Sequence, residues 1–283
     1  MYFLVFAVIC SVLVSVLLKL ARRRALDVAQ MVTWNYLVAA TLGALLLRPS
    51  LDSLTHGHAP WVALLGLAVI LPSLFVVLGR AVAQAGIVRS DVAQRLSLLL
   101  SLLAAFVFFG EQAGALRLAG LGVGLLAIVA ITARSGDRTQ SPGSWRWLLV
   151  VWLGFALVDI LLKKIALSGT PSMAALLVCF SLAFVLMLAV QLYRHVRGRT
   201  QLAWRNVGAG ALLGLLNFGN ILFYVRAHQH LSDSPATVFA GMNIGVVVLG
   251  AVVGIFVFGE RTSMWNRIGL GLAVLAIGLI AAG

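Results

Sequence analysis

Phe106–Ile131, FVFFGEQAGALRLAGLGVGLLAIVAI, has a near copy 149 residues downstream in Ile255–Ile280, IFVFGERTSMWNRIGLGLAVLAIGLI. Without a gap the two share ten of 26 positions, among them Phe109/Phe258, Gly110/Gly259, Glu111/Glu260, Gly120/Gly269 and Gly122/Gly271. Apolar low complexity accounts for matching Leu, Ile and Ala. It does not account for Phe-Gly-Glu followed nine residues later by Gly-Leu-Gly, twice. The chain therefore reads as two copies of one module, residues 1–135 and 146–283, joined by a linker at 136–145. Duplicated modules in a membrane most often build transporters.

Composition puts both copies in a bilayer. The hydrophobic fraction is 62%, the charged fraction 10% and the mean hydropathy +1.07, which exclude an ordinary soluble domain. Ten apolar runs can be marked: Tyr2–Leu20, Val28–Leu47, Trp61–Ala83, Ile87–Phe109, Leu116–Ala133, Trp147–Leu167, Ser172–Tyr193, Val207–Val225, Ala236–Phe258 and Trp265–Ala282. At about 1.5 Å per helical residue, each crosses a hydrocarbon core of about 30 Å. The expected fold is all-α, with ten transmembrane helices arranged as two inverted five-helix repeats. Connections are too short for a soluble catalytic domain. Tyr2–Leu20 carries Lys19 at its end, is followed by Arg22, Arg23 and Arg24 and is preceded by no basic residue, so it reads as the first helix rather than a signal peptide.

The net charge of +13 is spread over the ends of the runs, which argues for membrane orientation and anionic lipid rather than nucleic acid. In the first half, loops 1–2 and 3–4 carry six Lys/Arg (Lys19, Arg22, Arg23, Arg24, Arg80, Arg89), against two (Arg48, Arg117) in loops 2–3 and 4–5. In the second half the bias reverses. Loops 7–8 and 9–10 carry six (Arg194, Arg197, Arg199, Arg205, Arg261, Arg267), against three (Lys163, Lys164, Arg226) in loops 6–7 and 8–9. Such a reversal is what a five-helix unit repeated with opposite topology requires. The stretch Arg134–Arg146 around the linker adds three more to the basic side, which the positive-inside rule makes cytoplasmic. Both termini are then expected outside, in a bacterial inner (plasma) membrane. Cys10 and Cys179 lie inside apolar runs and suggest no disulfide framework.

With the halves aligned, the chain resembles the drug/metabolite transporter superfamily in its EamA-like ten-helix branch. The resemblance rests on two fourth runs ending in Phe-Gly-Glu, on Gly-rich fifth runs, and on Phe223–Glu260, FYVRAHQHLSDSPATVFAGMNIGVVVLGAVVGIFVFGE. It implies export of amino acids, metabolites or drugs. Cytoplasmic termini are the family expectation, and the loop charges here depart from it. The small multidrug relatives carry a proton-binding Glu on the first helix, whereas no acidic residue occurs between Met1 and Leu20.

Polar groups inside a membrane are costly and so are candidates for function. Arg95, well inside the fourth run, has Asp91 one turn earlier, at pairing distance. It offers either a fixed positive charge for a substrate carboxylate or a structural ion pair. Asp159, in the sixth run with Lys163 at i+4, is a candidate for proton coupling or a static bridge, and Asp91 is the second coupling candidate. Gln94 and Asn243 are equivalent (94 + 149 = 243). Asn217, Asn220 and Tyr224 form one column of the eighth run, and Asn35 lies mid-way in the second. Amides of this kind either line a cavity or hold helices together.

Glu111 and Glu260 are expected to cap helices or pair with Arg117 and Arg261. The GxxxG spacings at Gly120/Gly124, Gly210/Gly214, Gly241/Gly245 and Gly250/Gly254 predict close helix packing. His56, His58, His228 and His230 have no carboxylate or Cys at ligand spacing, so no metal is expected. The reading is a secondary-active transporter, expected to be an exporter, of a small anionic or zwitterionic metabolite such as an amino acid, without enzymatic activity or cofactor. Its partners are the substrate and the lipid bilayer, and it is a monomer or homodimer. A membrane-embedded enzyme or lipid-handling protein is the alternative.

Overall fold

The computed structural model describes residues 2–50, 52, 60–109, 114–132, 143–231 and 235–282, and among them every regular element is helical. Met1, His56 to His58, Gly110, Glu111, residues 136–142 of the 136–145 linker and Gly283 lie outside the described residues. The helices are α1 (Tyr2–Arg23), α2 (Val28–Leu42), α3 (Trp61–Ala85), α4 (Ile87–Arg95), α5 (Ser97–Phe109), α6 (Ala115–Thr132), α7 (Ser144–Leu167), α8 (Ser172–Val196), α9 (Trp204–His230), α10 (Pro235–Val252) and α11 (Met264–Ala282). Wider π-type turns, Gly43–Leu47 and Val253–Val257, continue α2 and α10. Among the described residues, seven helices are long and apolar enough to cross a membrane. The chain is an all-α integral membrane protein, as lipid demands of a backbone that must satisfy its own hydrogen bonds.

One expected run is not continuous. Ile87–Phe109 breaks at Leu96 into α4 and α5. The Leu96 carbonyl accepts from Leu99 N at 3.0 Å and from the Trp152 indole at 2.8 Å. An outside donor on that carbonyl satisfies it where the regular ladder is interrupted. The break follows directly on Arg95. The sixth run is continuous as α7, though Arg146, Asp159, Lys163 and Lys164 make it the most charged of the long helices.

The chain divides into two compact units. One consists of residues 1–19, 77–156 and 219–283, and the other of residues 20–76 and 157–218. The four divisions fall inside α1, α3, α7 and α9, the first and third runs of each half. Each compact unit thus draws the same pieces from both copies.

In the first unit, α6 and α11 run antiparallel with their glycines in contact. A Cβ on Gly120 would lie 2.7 Å from Ile280 and 3.1 Å from the Ala276 carbonyl. One on Gly269 would lie 2.6 Å from Ile131 and 3.1 Å from the Ala127 carbonyl. These contacts are reciprocal, because 120, 127 and 131 plus 149 are 269, 276 and 280. A core of Val92, Leu96, Leu99, Ile131, Val247 and Ile277 packs α4, α5 and α10 onto this seam. A second core joins α1 to α9 and α10 through Leu4, Val8, Val12, Ala227, Met242 and Val246. Gly241 and Gly245 of α10 admit Leu4 and Val8, each within 2.8 Å of a would-be Cβ.

In the second unit, Gly210 and Gly214 of α9 meet the backbone of α2 at Met31 and Asn35. Gly124 faces Leu99, Gly250 faces Asp91 and Gly254 faces Val88 in the first unit. All four GxxxG pairs therefore work as expected, as surfaces against which another helix closes. Tyr36, fully buried in the second unit, packs its ring on Phe75 and Phe180.

Candidate functional site

The first unit holds a polar ladder between α1 and α4. Ser11, Ser15 and Lys19 recur every four residues along α1 and so share one face. Asp91 and Arg95, one turn apart, do the same on α4. The Arg95 guanidinium donates to Ser11 Oγ at 2.7 Å and to Asn243 Oδ1 of α10 at 3.4 Å. Ser15 donates to Asp91 Oδ1 at 2.6 Å. Lys19 pairs with Glu260, which also accepts from the backbone of Ile87 at 2.7 Å and Val88 at 3.2 Å. The two helices are antiparallel along the ladder, because rising numbers on α1 meet falling numbers on α4. Its three rungs span about 12 Å.

Local sequence explains the lower end. Gly86 turns the chain from α3 into α4 at φ +92, and a Cβ there would lie 2.6 Å from a Glu260 oxygen. Only glycine suits that backbone and that contact. The carboxylate thereby reaches two free N–H groups at the start of α4, where the helix dipole favours an anion. Arg89, also buried, donates to the Ile131 carbonyl in the last turn of α6 at 2.9 Å.

Asp91 is the least satisfied group of the ladder. It is 2% exposed, and its Oδ2 has no hydrogen-bond partner among the described residues. That oxygen lies 2.5 Å from where a Cβ on Gly250 would stand. Most buried polar atoms are bonded, and exceptions call for an explanation.

The expected residues are sorted as follows. Arg95 and Asn243 come together, whereas Gln94 is half-buried on the same helix. Asp91 keeps its expected electrostatic partner in Arg95, and each of the two also bonds a serine of α1 at a matching height. Glu260 does cap a helix, but that helix is α4 and its cation is Lys19 rather than an arginine. Glu111 lies outside the described residues. Asn217 donates to Asn35 at 3.3 Å, which makes this pair a link between α9 and α2 in the second unit. Asn220 keeps a buried Oδ1 without a partner among the described residues, and the Tyr224 ring stacks edge-on against His228 at 4.5 Å. Asp159 and Lys163 stand one turn apart on α7, both partly buried. Ser11 and Ser15 escaped the sequence reading, although Ser-x-x-x-Ser-x-x-x-Lys in an apolar helix was the signal for them.

A second polar cluster, also missed, lies in the other unit. Asp27 caps α2 by accepting from Ala29 N at 3.0 Å and Gln30 N at 3.4 Å. It also receives both ends of Arg194, at 2.9 and 3.3 Å, and Thr200 at 3.0 Å. Asn206 bonds the Asp27 backbone at 3.1 Å and Gln30 at 2.9 Å, and Gln30 in turn donates to Thr200 at 2.6 Å. Partial burial works against ionisation of Asp27, and its bonds to Arg194 and Thr200 outweigh that, holding the carboxyl below its ordinary value. Asp27-x-x-Gln30 before an apolar run resembles a capping box, a signal present in the sequence.

No family model matches the chain. A protein of Haemophilus influenzae, described as uncharacterized, is 40% identical over 287 residues, covering 98% of this chain and 96% of that one. The chain belongs to that protein's family. A known crystal structure of another protein, 16% identical, superposes with a TM-score of 0.56 over 96% of this chain and 94% of that one. That likeness speaks for the fold alone.

Proposed function

We propose that the protein is a secondary-active transporter of the drug/metabolite type, built from two inverted five-helix repeats. It moves a small anionic or zwitterionic metabolite by alternating access. The antiparallel, reciprocal seam of α6 and α11 supports the inversion. A two-fold axis that exchanges antiparallel membrane helices lies in the membrane plane, as in transporters with inverted repeats. The equivalent division of both copies between the compact units supports it too. The loop charges support a cytoplasmic basic side and external termini in a bacterial inner membrane. A fluorescent-protein fusion at Gly283 should then stay dark, and fluorescence there would reverse the orientation.

The observation that carries the function is Arg95 bonded to Asn243 immediately before the break at Leu96. Interrupted helices recur at the substrate sites of transporters. A guanidinium and an amide, one from each copy, offer donors and an acceptor to a carboxylate and its neighbouring polar groups. A charge-assisted hydrogen bond contributes about 1.5–3 kcal/mol, roughly 10–150-fold in affinity. Thermal-shift screening against amino acids, nucleosides, sugars and organic acids would identify a ligand. Arg95→Gln should weaken it by that factor while the protein stays folded, and Arg95→Lys should recover only part. Unchanged affinity in Arg95→Gln would remove the site from Arg95.

A further inference from the structure

We propose that the second compact unit carries a docking site for the headgroup of an anionic phospholipid, where the chain between α8 and α9 folds against the start of α2. Stretches 22–30 and 191–206 hold seven arginines and one acid, Asp27. That acid is already engaged, with Arg194 on both oxygens and Thr200 on one. Arg24, Arg197, Arg199 and Arg205 are exposed, and neither stretch has a second carboxylate to neutralise them.

The Asp27 cluster brings these arginines to one place. Thr200, next to Arg199, donates to Asp27 at 3.0 Å, and Gln30 donates to Thr200 at 2.6 Å and to the Gln201 carbonyl at 2.8 Å. Asn206, next to Arg205, accepts from the Asp27 backbone at 3.1 Å and donates to Gln30 at 2.9 Å. Arg24 stands just before Asp27 in the chain. The connection turns at Gly198, φ +67, and the Arg197 guanidinium lies 5.4 Å over the Tyr193 ring. A connection tied down in this way loses little freedom when it binds a partner. Planar guanidinium forks match the oxygens of a phosphate, so phosphate is the anion this surface suits best.

The surface beside the arginines makes that phosphate a lipid's. Trp204 is 87% exposed, Val196 83% and Leu202 52%. A soluble phosphate gains nothing from apolar surface of this kind, whereas an acyl chain covers it. Helices α8 and α9 have 25 and 27 residues, so they run about 38 and 40 Å and outreach a hydrocarbon core of about 30 Å. Their joined ends therefore reach headgroup depth, which tryptophan and tyrosine favour. A basic residue beside a membrane helix strengthens attraction to anionic lipid by about fivefold. A zwitterionic phospholipid carries its own cation next to the phosphate, and these arginines repel it.

The purified full-length protein in detergent allows the test, with phosphatidylglycerol and phosphatidylcholine of the same acyl chains and with inorganic phosphate. Native mass spectrometry follows the first lipid bound, and thermal unfolding follows the fold. Phosphatidylglycerol should bind at least about tenfold more tightly than phosphatidylcholine and weaken as salt is raised. Arg199→Gln combined with Arg205→Gln should weaken phosphatidylglycerol by about 25-fold, about fivefold for each residue, and leave unfolding in phosphatidylcholine unchanged. Arg146→Gln combined with Arg267→Gln, which removes the same charge from exposed positions of the first unit, should keep the parent's affinity. Equal loss in the two pairs would reduce the effect to the general attraction of a basic protein and overturn the site. Undiminished binding in the Arg199 and Arg205 pair would overturn it too. Displacement of the lipid by millimolar inorganic phosphate would show that the anion is a soluble one, and would overturn the assignment to lipid.

Discussion

Asp27 in one compact unit and Asp91 in the other each have an arginine near them, and the two sites are built differently. Asp27 accepts hydrogen bonds at both oxygens from two backbone groups, an arginine fork and a threonine. Asp91 accepts one, from Ser15, and is the more deeply buried. A fully bonded polar cluster fixes a structure, and a half-bonded one leaves capacity for something that comes and goes. The contrast assigns Asp27 to holding α2 against the chain between α8 and α9, and sets Asp91 apart as the aspartate with bonding capacity to spare.

The largest expected effect lies on the satisfied side. Asp27→Ala removes a helix cap and a charge-assisted pair, and should lower stability by about 2–4 kcal/mol in thermal unfolding. Asp91→Asn should change it by less than about 1 kcal/mol, because one hydrogen bond is exchanged for another. The reverse order would break the comparison. Because folding lowers the proton affinity of Asp27, its contribution is complete above the unfolded carboxylate value of about 4. It is lost as pH falls through the lower folded value. Unfolding of Asp27→Asn should lack that acid-side loss, and an identical acid limb in parent and variant would argue against the assignment.

A smaller effect concerns the seam. Gly120→Ala and Gly269→Ala each force a methyl group to within 2.7 Å of an isoleucine side chain and 3.1 Å of a backbone carbonyl. Each should cost about 1–3 kcal/mol, and the two costs should match. Strongly unequal costs would show that the contacts are reciprocal in number only.

Much of this was legible in the chain alone. The repeat of Phe-Gly-Glu and Gly-Leu-Gly placed the glycines that form the seam, because only small residues let helix backbones touch. Gln94 and Asn243 were found as equivalents, yet Asn243 is bonded by Arg95, one residue along. Sequence spacing gives a face of a helix but not the neighbour it meets. For the same reason Arg95 and Asp91 read as partners on α4, but the serines of α1 that bond each of them, 84 and 76 residues earlier, do not show in the spacing. The break at Leu96 had no local signal. No Gly or Pro marks it, and the Trp152 indole that bonds its carbonyl comes from another helix 56 residues away.

The most direct test of the account is solute counterflow in vesicles loaded with a candidate anion identified by thermal shift. The account predicts that the parent transiently accumulates external label against the internal pool, and that Arg95→Gln, folded and inserted equally well, does so at least about tenfold more slowly at low label concentration. Equal counterflow by parent and Arg95→Gln would contradict it.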